Sequence, residues 1–430
     1  MRKKPIGGSN RGSIAWIVAV ALFFPAYSGQ TANASPPGQA FELTDALRVA
    51  RQARAELKAS SSRIEAARLR PVVVSALDDP VITPAIDHKP VDKMMRSDRS
   101  LSIEQSFPLS HIRSHKRAAA EADVGRVEGE SRQVLLKIQS EVASAFFMLH
   151  ERRRMVGILD KQVVLVGQLT RMAASRHASG SGGQLDVLRL EAESARLRNR
   201  QSLLQAETRS AEAMLNAAIG QPTGRAVPPL DTERLLRQIR NVPSTASALE
   251  QALQNHPGVQ ISQAEIARSR AEVEVMKSMY KPMAMVRVGK ADTMAGGKGY
   301  MLMVGISVPI WFDRLKAGVG EARAMQSMAE ADREGMLRMI EGETIAALES
   351  LRGAVTSLDT VGADIVPRTE RLIAPAVAEY ASGRAPLVNA LEAIKASWQV
   401  EEDAAMAESA LGVAWARYMN AVGSFAGESN

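Results

Sequence analysis

The chain contains the same sequence pattern twice, and this duplication limits the possible folds more than any other feature. Matched positions recur at an offset of 201 to 203 residues over most of the length. "FPL" at Phe107 corresponds to "VPI" at Val308, and "SGSGGQLDVLRLE" from Ser179 corresponds to "SGRAPLVNALEAI" from Ser382. A register that holds over such a length predicts two copies of one structural unit.

Both copies have the same predicted order, which is a helix, a β-prone stretch, a very long helix, a glycine turn and a second long helix. In the first copy these segments are residues 44–70, 72–108, 111–178, 179–184 and 185–219. In the second copy they are residues 246–281, 283–310, 312–381, 382–386 and 387–424. The predicted division of the chain is a signal peptide (1–34), a first repeat (35–220), a connector with one short helix (221–245), a second repeat (246–424) and a tail (425–430).

The long helices carry a hydrophobic seam. From Leu135 to Ala173, seam residues recur in alternating steps of three and four with one charge, Arg152, among them, and the second copy repeats the pattern from Leu337 to Ile365. A period of about 3.5 residues sustained this far is typical of coiled coils. Residues 111–178 would form a rod of about 100 Å. A lone hairpin of that length cannot bury both flanks, so we expect it to pack against the other copy and against other chains.

Four stretches between the helices alternate in the manner of β-strands. In "RSLSIEQSFPL" and "GYMLMVGISVPI", apolar side chains alternate with small or polar ones, and "KPMAMVRVGKADT" and "DPVITPAID" are the expected hairpin partners. This pattern is typical of membrane-spanning strands, although a pair of small surface sheets would show it too. Four strands cannot close a barrel and an open edge is unstable in lipid. Spanning strands would therefore require several chains to share one barrel.

The N-terminal 34 residues have the features of a secretory signal peptide. A basic start is followed by an apolar run of eleven residues, Ile14 to Phe24, and by a small-x-small cleavage site at Ala32-Asn33-Ala34. The apolar run is shorter than the roughly 20 residues that a spanning helix needs. We therefore expect cleavage after Ala34 and export from the cytoplasm.

Composition excludes several classes of function. Cleavage would remove four cations and no acid, which lowers the formal charge of +7 by four, so the basic composition does not predict nucleic-acid binding. The chain has no cysteine, which excludes disulfides, thiolate metal sites, a cysteine nucleophile and a lipid anchor on cysteine. It also has no nucleotide-binding loop, nucleophile elbow or zincin motif, so neither a catalytic residue nor a cofactor is predicted.

The whole mature chain resembles the TolC family of outer membrane efflux proteins. Its length and the "FPL" that leads into the long helix are most similar to the heavy-metal efflux branch. The resemblance is carried by "LTDALRVARQARAELKASSSRIEAAR", "FPLSHIRSHKRAAAEADV", "GSGGQLDVLRLEAESARLR", "MLNAAIGQP" and "YASGRAPLVNALEAIKASWQ". The sequence departs from the family pattern at Ala55, where the family usually has the proline that the second copy keeps as Pro257, and in the extra glycines of the first turn.

The resemblance implies a mainly α fold with a small membrane β part. Long antiparallel coiled-coil hairpins would form a TolC-like α-helical barrel, continued by a β-barrel with four strands per chain and twelve in a homotrimer. The implied function is a passive outer membrane duct for efflux, with heavy-metal cations as the preferred substrate. The implied partners are a periplasmic adaptor, an inner membrane pump of the resistance-nodulation-division type and outer membrane lipid, with the helical part in the periplasm. Multidrug efflux, type I protein secretion and a soluble periplasmic coiled-coil scaffold remain alternatives.

The resemblance also places the functional residues at and just beyond the two glycine turns. The turn residues expected to contact the adaptor are Gly180, Gly183, Gly383 and Arg384. The residues expected to line or latch the narrow mouth of the duct are Asp186, Arg189, Asn389 and Glu392. An acid in the first turn of a helix also interacts favourably with the helix dipole, which is a purely structural explanation for Asp186.

Two groups of residues are weak candidates for metal binding. His111 and His115 are four residues apart at a helix start and could present two nitrogens on one face. Met301 and Met303 lie on the second predicted hairpin, where thioethers could bind Cu(I) or Ag(I). Histidine pairs of this kind are mostly surface residues and methionine is mostly flexible hydrophobic filling. We therefore predict no metal site with either group.

Overall fold

The structure is a computed structural model that describes residues 40–87, 97–293 and 296–425. The predicted signal peptide, most of the first hairpin loop and all of the predicted tail except Phe425 lie outside the described residues. Within the described ranges, both predicted copies contain long helices joined by a β segment. None of the helices in these ranges has a stretch that is both long and apolar enough to cross a membrane.

The first copy begins with a short strand and ends with two long helices. Its elements are β1 (Phe41–Glu42), α1 (Leu43–Ala53), α2 (Ala55–Ser75), β2 (Val81–Asp87), β3 (Asp98–Pro108), α3 (Ile112–Ala178) and α4 (Gln184–Ala218). The connector contributes β4 (Leu230–Asp231), which pairs in parallel with β1, and α5 (Glu233–Ile239).

The second copy repeats this order. Its elements are α6 (Thr245–Asn255), α7 (Pro257–Ser278), β5 (Met283–Thr293), β6 (Gly297–Ser307), α8 (Phe312–Asp359), a π-helical segment (Thr360–Ile365), α9 (Val366–Ala381) and α10 (Leu387–Val422). The π-helical segment directly precedes α9, whose second residue is Pro367, and the missing N–H and the ring of this proline disturb the helical hydrogen bonds of the preceding turn. The single helix predicted over residues 312–381 is therefore interrupted.

The first predicted helix of each copy is also divided, so the prediction of one continuous helix was wrong. The backbone is extended at Arg54 (φ −67°, ψ 123°) and in the same way at His256 (φ −66°, ψ 124°). Proline follows the second break but not the first. The Arg54 guanidinium instead donates to the Ala218 carbonyl at 3.0 Å and to the Glu56 carboxylate at 2.9 Å. Because Ala218 is remote in sequence, the local residues do not reveal this break.

The long helix α3 is packed on more than one flank. It contacts α2, α4, α7 and α10. The seam residues Val142, Leu149, Leu159 and Val166 are buried, as the 3.5-residue period predicts. A further set on α3 is buried that the single seam did not include, namely Ala143, Phe146, Phe147, Gln162 and Leu169. The broader buried surface follows from the number of neighbouring helices.

The main core lies where α3, the connector and the end of α10 meet. Phe146 and Phe147 are fully buried there, with their ring centroids 5.7 Å apart and nearly perpendicular. Trp415 and Phe425 make a similar edge-to-face contact at 5.7 Å. Such pairs add about 0.5–1.5 kcal/mol beyond the area they bury. A second hydrophobic cluster lies toward the glycine turns and includes Leu169, Leu190, Ile394 and Trp398.

Replacing Gly412 by alanine should lower stability, because Gly412 lets α10 approach the ring of Phe147. A Cβ at position 412 would lie 2.2 Å from that ring. Overpacking of this kind costs about 1–3 kcal/mol. Gly342→Ala in α8 is the matched control, since a Cβ there meets nothing within 4 Å and alanine favours the helix. Thermal unfolding in detergent, followed by circular dichroism, should give a lower Tm only for Gly412→Ala, and equal Tm values would contradict the packing described.

The four longer strands form one antiparallel sheet in the order β2-β3-β5-β6. The two hairpins are therefore joined through β3 and β5, which the sequence did not specify. The register pairs Ile103 with Val288 and Val288 with Leu302, all on one face. That face, here called the apolar face, is exposed and includes Ile82, Ile103, Val288, Tyr300, Leu302, Val304 and Ile306. The predicted alternation is thus confirmed.

The opposite face of the sheet, here called the polar face, carries small, polar and flexible side chains. It includes Ser102, Glu104, Arg287, Gly289, Met301 and Met303. Arg287 forms an ion pair with Glu104 across the adjacent strands β3 and β5. A sheet with one exposed apolar face and one polar face can separate lipid from water if its edges are paired.

Candidate functional site

The two glycine turns reverse the long helices with the same local geometry. Gly180 and Gly383 have φ values of +71° and +75°, the left-handed conformation that glycine adopts without a steric penalty. Their N–H groups donate to the carbonyls of His177 and Tyr380, each at 3.0 Å. Each glycine thus ends its helix at the position that the sequence predicted.

The other two predicted turn residues differ from these in backbone conformation and in their contacts. Gly183 directly precedes α4 in an extended conformation with φ −77° and ψ 144°. Arg384 is exposed, and its Nε donates to the Ser382 hydroxyl at 3.0 Å. The two turns therefore present different chemical groups, with three glycines in the first and an arginine in the second.

Beside the turns, three side chains connect the first helical hairpin to the second; we call Arg176, Tyr380 and Asp186 the tip cluster. The Arg176 guanidinium donates to the Tyr380 carbonyl and, at 3.2 Å, to the Ser181 carbonyl. It also lies over the Tyr380 ring, 4.9 Å from the centroid. The Tyr380 hydroxyl donates to the Asp186 carboxylate at 3.4 Å. Arg176 and Asp186 come from the first copy and Tyr380 from the second.

The protonation states in the tip cluster favour these contacts. Tyr380 is 1% exposed. Its burial, together with the negative charge of Asp186, raises the pKa of the Tyr380 phenol above its usual value. The hydroxyl therefore stays protonated near neutral pH and can donate to the carboxylate. The arginine over the ring adds a cation–π contact, which contributes about 0.5–2 kcal/mol depending on exposure.

The structure does not bring the remaining predicted mouth residues into the tip cluster. Arg189, Asn389 and Glu392 are exposed, and none of their side chains forms a hydrogen bond or ion pair with another described residue. Asp186 is thus hydrogen-bonded to Tyr380, and Tyr380 in turn contacts Arg176. Sequence reasoning missed both partners, because their positions relative to Asp186 depend on how one hairpin packs on the other. The only signal was an aromatic residue, Tyr380, just before a polar turn.

Away from the tip, ion pairs connect α4 to α10 between equivalent positions of the two copies. Lys395 lies 2.9 Å from Glu193, and Arg200 lies 2.6 Å from Glu402. In each pair the two residues are 202 apart in sequence. The carboxylates are largely shielded, with 13% and 12% of their side chains exposed, whereas the cations are about half exposed. Pairs of this kind contribute up to about 1 kcal/mol each.

The weak metal candidates lie at the start of α3 and on the sheet. His111 directly precedes α3, and His115 follows one turn later. No group of three or more His, Cys, Asp or Glu side chains that could hold a metal ion is present among the described residues. Met301 and Met303 lie on the polar face, opposite Gly289 and Arg287.

Comparisons with known proteins find similar proteins and similar solved structures, although no family model matches the chain. It is 24% identical over 316 residues to the cobalt-zinc-cadmium resistance protein CzcC of Cupriavidus metallidurans, covering 72% of this chain and 73% of that protein. It is 22% identical over 346 residues to the pyoverdine export outer membrane protein OpmQ of Pseudomonas putida, covering 74% and 71%. The solved structure of CusC, described as forming a transmembrane channel, matches with a TM-score of 0.74 at 15% identity, covering 92% of this chain and 96% of that one.

Proposed function

We propose that this chain, which resembles the TolC family of outer membrane channels in sequence and in fold, forms the outer membrane duct of a tripartite efflux system. The duct is passive, and an inner membrane pump of the resistance-nodulation-division type drives cargo into it through a periplasmic adaptor. The β sheet spans the outer membrane and the long helices extend into the periplasm. The observation that carries this proposal is an amphipathic four-stranded sheet that continues directly into helices of 67 and 48 residues.

The sheet supports a homotrimer. Its edge strands are β2 and β6, and its apolar face is exposed, with Leu302 at 72% and Val304 at 65%. Unpaired strand edges are unstable in lipid, and four strands are about half of the smallest number that closes a membrane barrel. Three copies would supply twelve strands and pair every edge. The exposed apolar face would then contact outer membrane lipid, and the polar face would line the path.

The glycine turns and the tip cluster support a closable periplasmic mouth. In the duct, Gly180, Gly183, Gly383 and Arg384 form the turns that the adaptor contacts. The tip cluster holds the two hairpins of one chain together just beyond these turns, which keeps the mouth narrow. Arg189, Asn389 and Glu392 are exposed around it, available to the lumen, a neighbouring chain or the adaptor.

Heavy-metal cations are the first candidate for cargo. This choice is supported by the similarity to CzcC, which is named for resistance to cobalt, zinc and cadmium. A second candidate is an organic compound, which is supported by the similarity to OpmQ, named for pyoverdine export. The two relatives match the chain with close to the same identity and coverage, and a deletion strain distinguishes the two cargoes.

Deleting the gene for this chain should raise cellular cobalt, zinc or cadmium and lower the tolerated concentration of that metal. The reason is that a pump without its duct cannot release cargo beyond the outer membrane. The measurement is metal content by mass spectrometry, together with growth, in deletion and complemented strains. Normal metal content combined with retention of an organic export product would favour the second cargo. A purified protein with no conductance in planar bilayers, recovered in the soluble periplasm, would instead support the coiled-coil scaffold.

A further inference from the structure

All four connections between the sheet and the helices converge on one cavity, here called the junction cavity. Its volume is about 740 Å³. It is lined by the segment after α2, the segment between β3 and α3, the segment between α7 and β5, and the segment between β6 and α8. Because every strand passes through this level, the junction cavity lies where the sheet gives way to the helices.

Positive charge dominates the lining of the junction cavity. Arg113, Lys116, Lys281 and Arg314 line it, and Asp78 is the one carboxylate among the lining residues. All four cations are exposed. The Nε–H group of Arg113 donates to the backbone carbonyl of Ser75 at 2.7 Å, which does not neutralise the charge of the guanidinium. The other three cations form no ion pair with another described residue.

Two helices add to this positive potential. The helices α3 and α8 both begin at the cavity, and a helix N-terminus carries a partial positive charge with N–H groups that lack helical partners. Neither residue directly before these helices, His111 or Trp311, caps its helix with a side-chain hydrogen bond. The first turn of α3 has no acid, and the first turn of α8 has Asp313. Asp313 partly offsets the partial charge of α8, so the N-terminus of α3 makes the larger addition to the four cations.

The register of the sheet shows which of its two faces the junction cavity adjoins. Pro108 pairs with Met283, and Met283 pairs with Ser307. All three line the cavity, and by alternation they lie on the same face as Glu104 and Arg287, which is the polar face. Glu104 is already paired with Arg287, so it does not neutralise the cavity cations. The cavity therefore opens at the base of the polar face.

We propose that the junction cavity binds anionic groups, carboxylate or phosphate, of solutes inside the duct, and that it makes the duct prefer anions to cations. The inference rests on the proposed function, because the polar face bounds a water path only in the assembled duct. In a trimer, three copies place twelve of these cations around one level of the path. Charges within about 10 Å act on a passing ion at 0.1 M salt, and a channel with low-dielectric walls strengthens their field. A metal cargo would therefore pass most readily as a neutral or anionic complex.

The test is the zero-current potential of the purified full-length protein in planar bilayers of neutral phosphatidylcholine, with a KCl gradient. The wild type should give the sign of an anion-preferring channel, more strongly at 0.01 M than at 0.1 M salt because screening is weaker. The double variant Lys281→Glu/Arg314→Glu should reverse that sign. Lys298→Glu is the matched control, because Lys298 lies near the opposite end of β6, about 30 Å from the cavity at 3.3 Å per residue. It should leave the sign unchanged.

A wild-type channel that conducts but prefers cations, or a double variant that conducts with the wild-type potential, would overturn the inference and leave the proposed function intact. No wild-type conductance would instead count against the proposed function. If the double variant does not assemble, the wild type still provides a test, because citrate added to the bath should reduce its conductance and acetate should do so less. Anion preference that appears only in bilayers with phosphatidylglycerol would assign the cavity to a phospholipid headgroup and contradict the proposal.

Discussion

Replacing Leu302 by arginine should abolish accumulation of the chain in the outer membrane. Leu302 lies at the middle of β6 on the apolar face and is 72% exposed. At the centre of a bilayer, an arginine on the lipid side of a strand costs about 2–4 kcal/mol. Each chain of a trimer would carry this cost, so the total of about 6–12 kcal/mol is comparable with the whole stability of a typical folded protein, about 5–15 kcal/mol.

The matched control is Met301→Arg, one residue earlier in the same strand. Met301 lies on the polar face opposite Gly289, which has no side chain to obstruct a longer residue. The two variants have the same added charge and differ only in the face that carries it. Membrane fractionation and heat-modifiable migration on gels should show normal levels for Met301→Arg and loss for Leu302→Arg. Equal levels of both variants would show that the apolar face does not contact lipid.

Breaking the tip cluster should increase channel conductance. The variant Arg176→Ala/Asp186→Ala removes both charged contacts to Tyr380. Hydrogen bonds that involve a charged group contribute about 1.5–3 kcal/mol, so the equilibrium between closed and open mouth should shift at least about tenfold in every chain. Single-channel recording in planar bilayers should show longer and larger openings, and intact cells should admit more of a large antibiotic.

Arg189→Ala/Glu392→Ala is the control for the tip cluster. It also removes one cation and one acid near the turns, but both side chains are exposed and unpaired within the described part of the chain. Its conductance should stay near that of the wild type. If this control opened the duct and Arg176→Ala/Asp186→Ala did not, the mouth would be held by residues that contact other chains.

The larger architecture was predictable because it follows from periodic patterns. The duplication, the lengths of α3, α4 and α10 and the two faces of the sheet all follow from repeats of about 202, 3.5 and 2 residues in the sequence. These patterns are local or simply repeated, so they can be recognised in the sequence without knowing how the helices and strands pack. The positions of Gly180 and Gly383 follow for the same reason, since a left-handed residue at a helix end favours glycine.

Features that depend on distant contacts were not predictable. The break at Arg54 needs the carbonyl of Ala218, which is 164 residues away in sequence. The tip cluster needs Tyr380 to approach Asp186 across 194 residues. The joining of β3 to β5 depends on how the two copies meet. In each case the neighbouring sequence contains no pattern that predicts the contact. The contact forms only because one copy packs against the other.

One chain supplies only part of a closed wall in the proposed duct, and the mass of the purified complex shows how many chains complete that wall. The full-length protein would be extracted from membranes with mild detergent and weighed by native mass spectrometry. We expect a complex of three mature chains that resists dissociation at room temperature, and no significant monomer. A stable single chain, recovered without detergent from the soluble fraction after export, would contradict it.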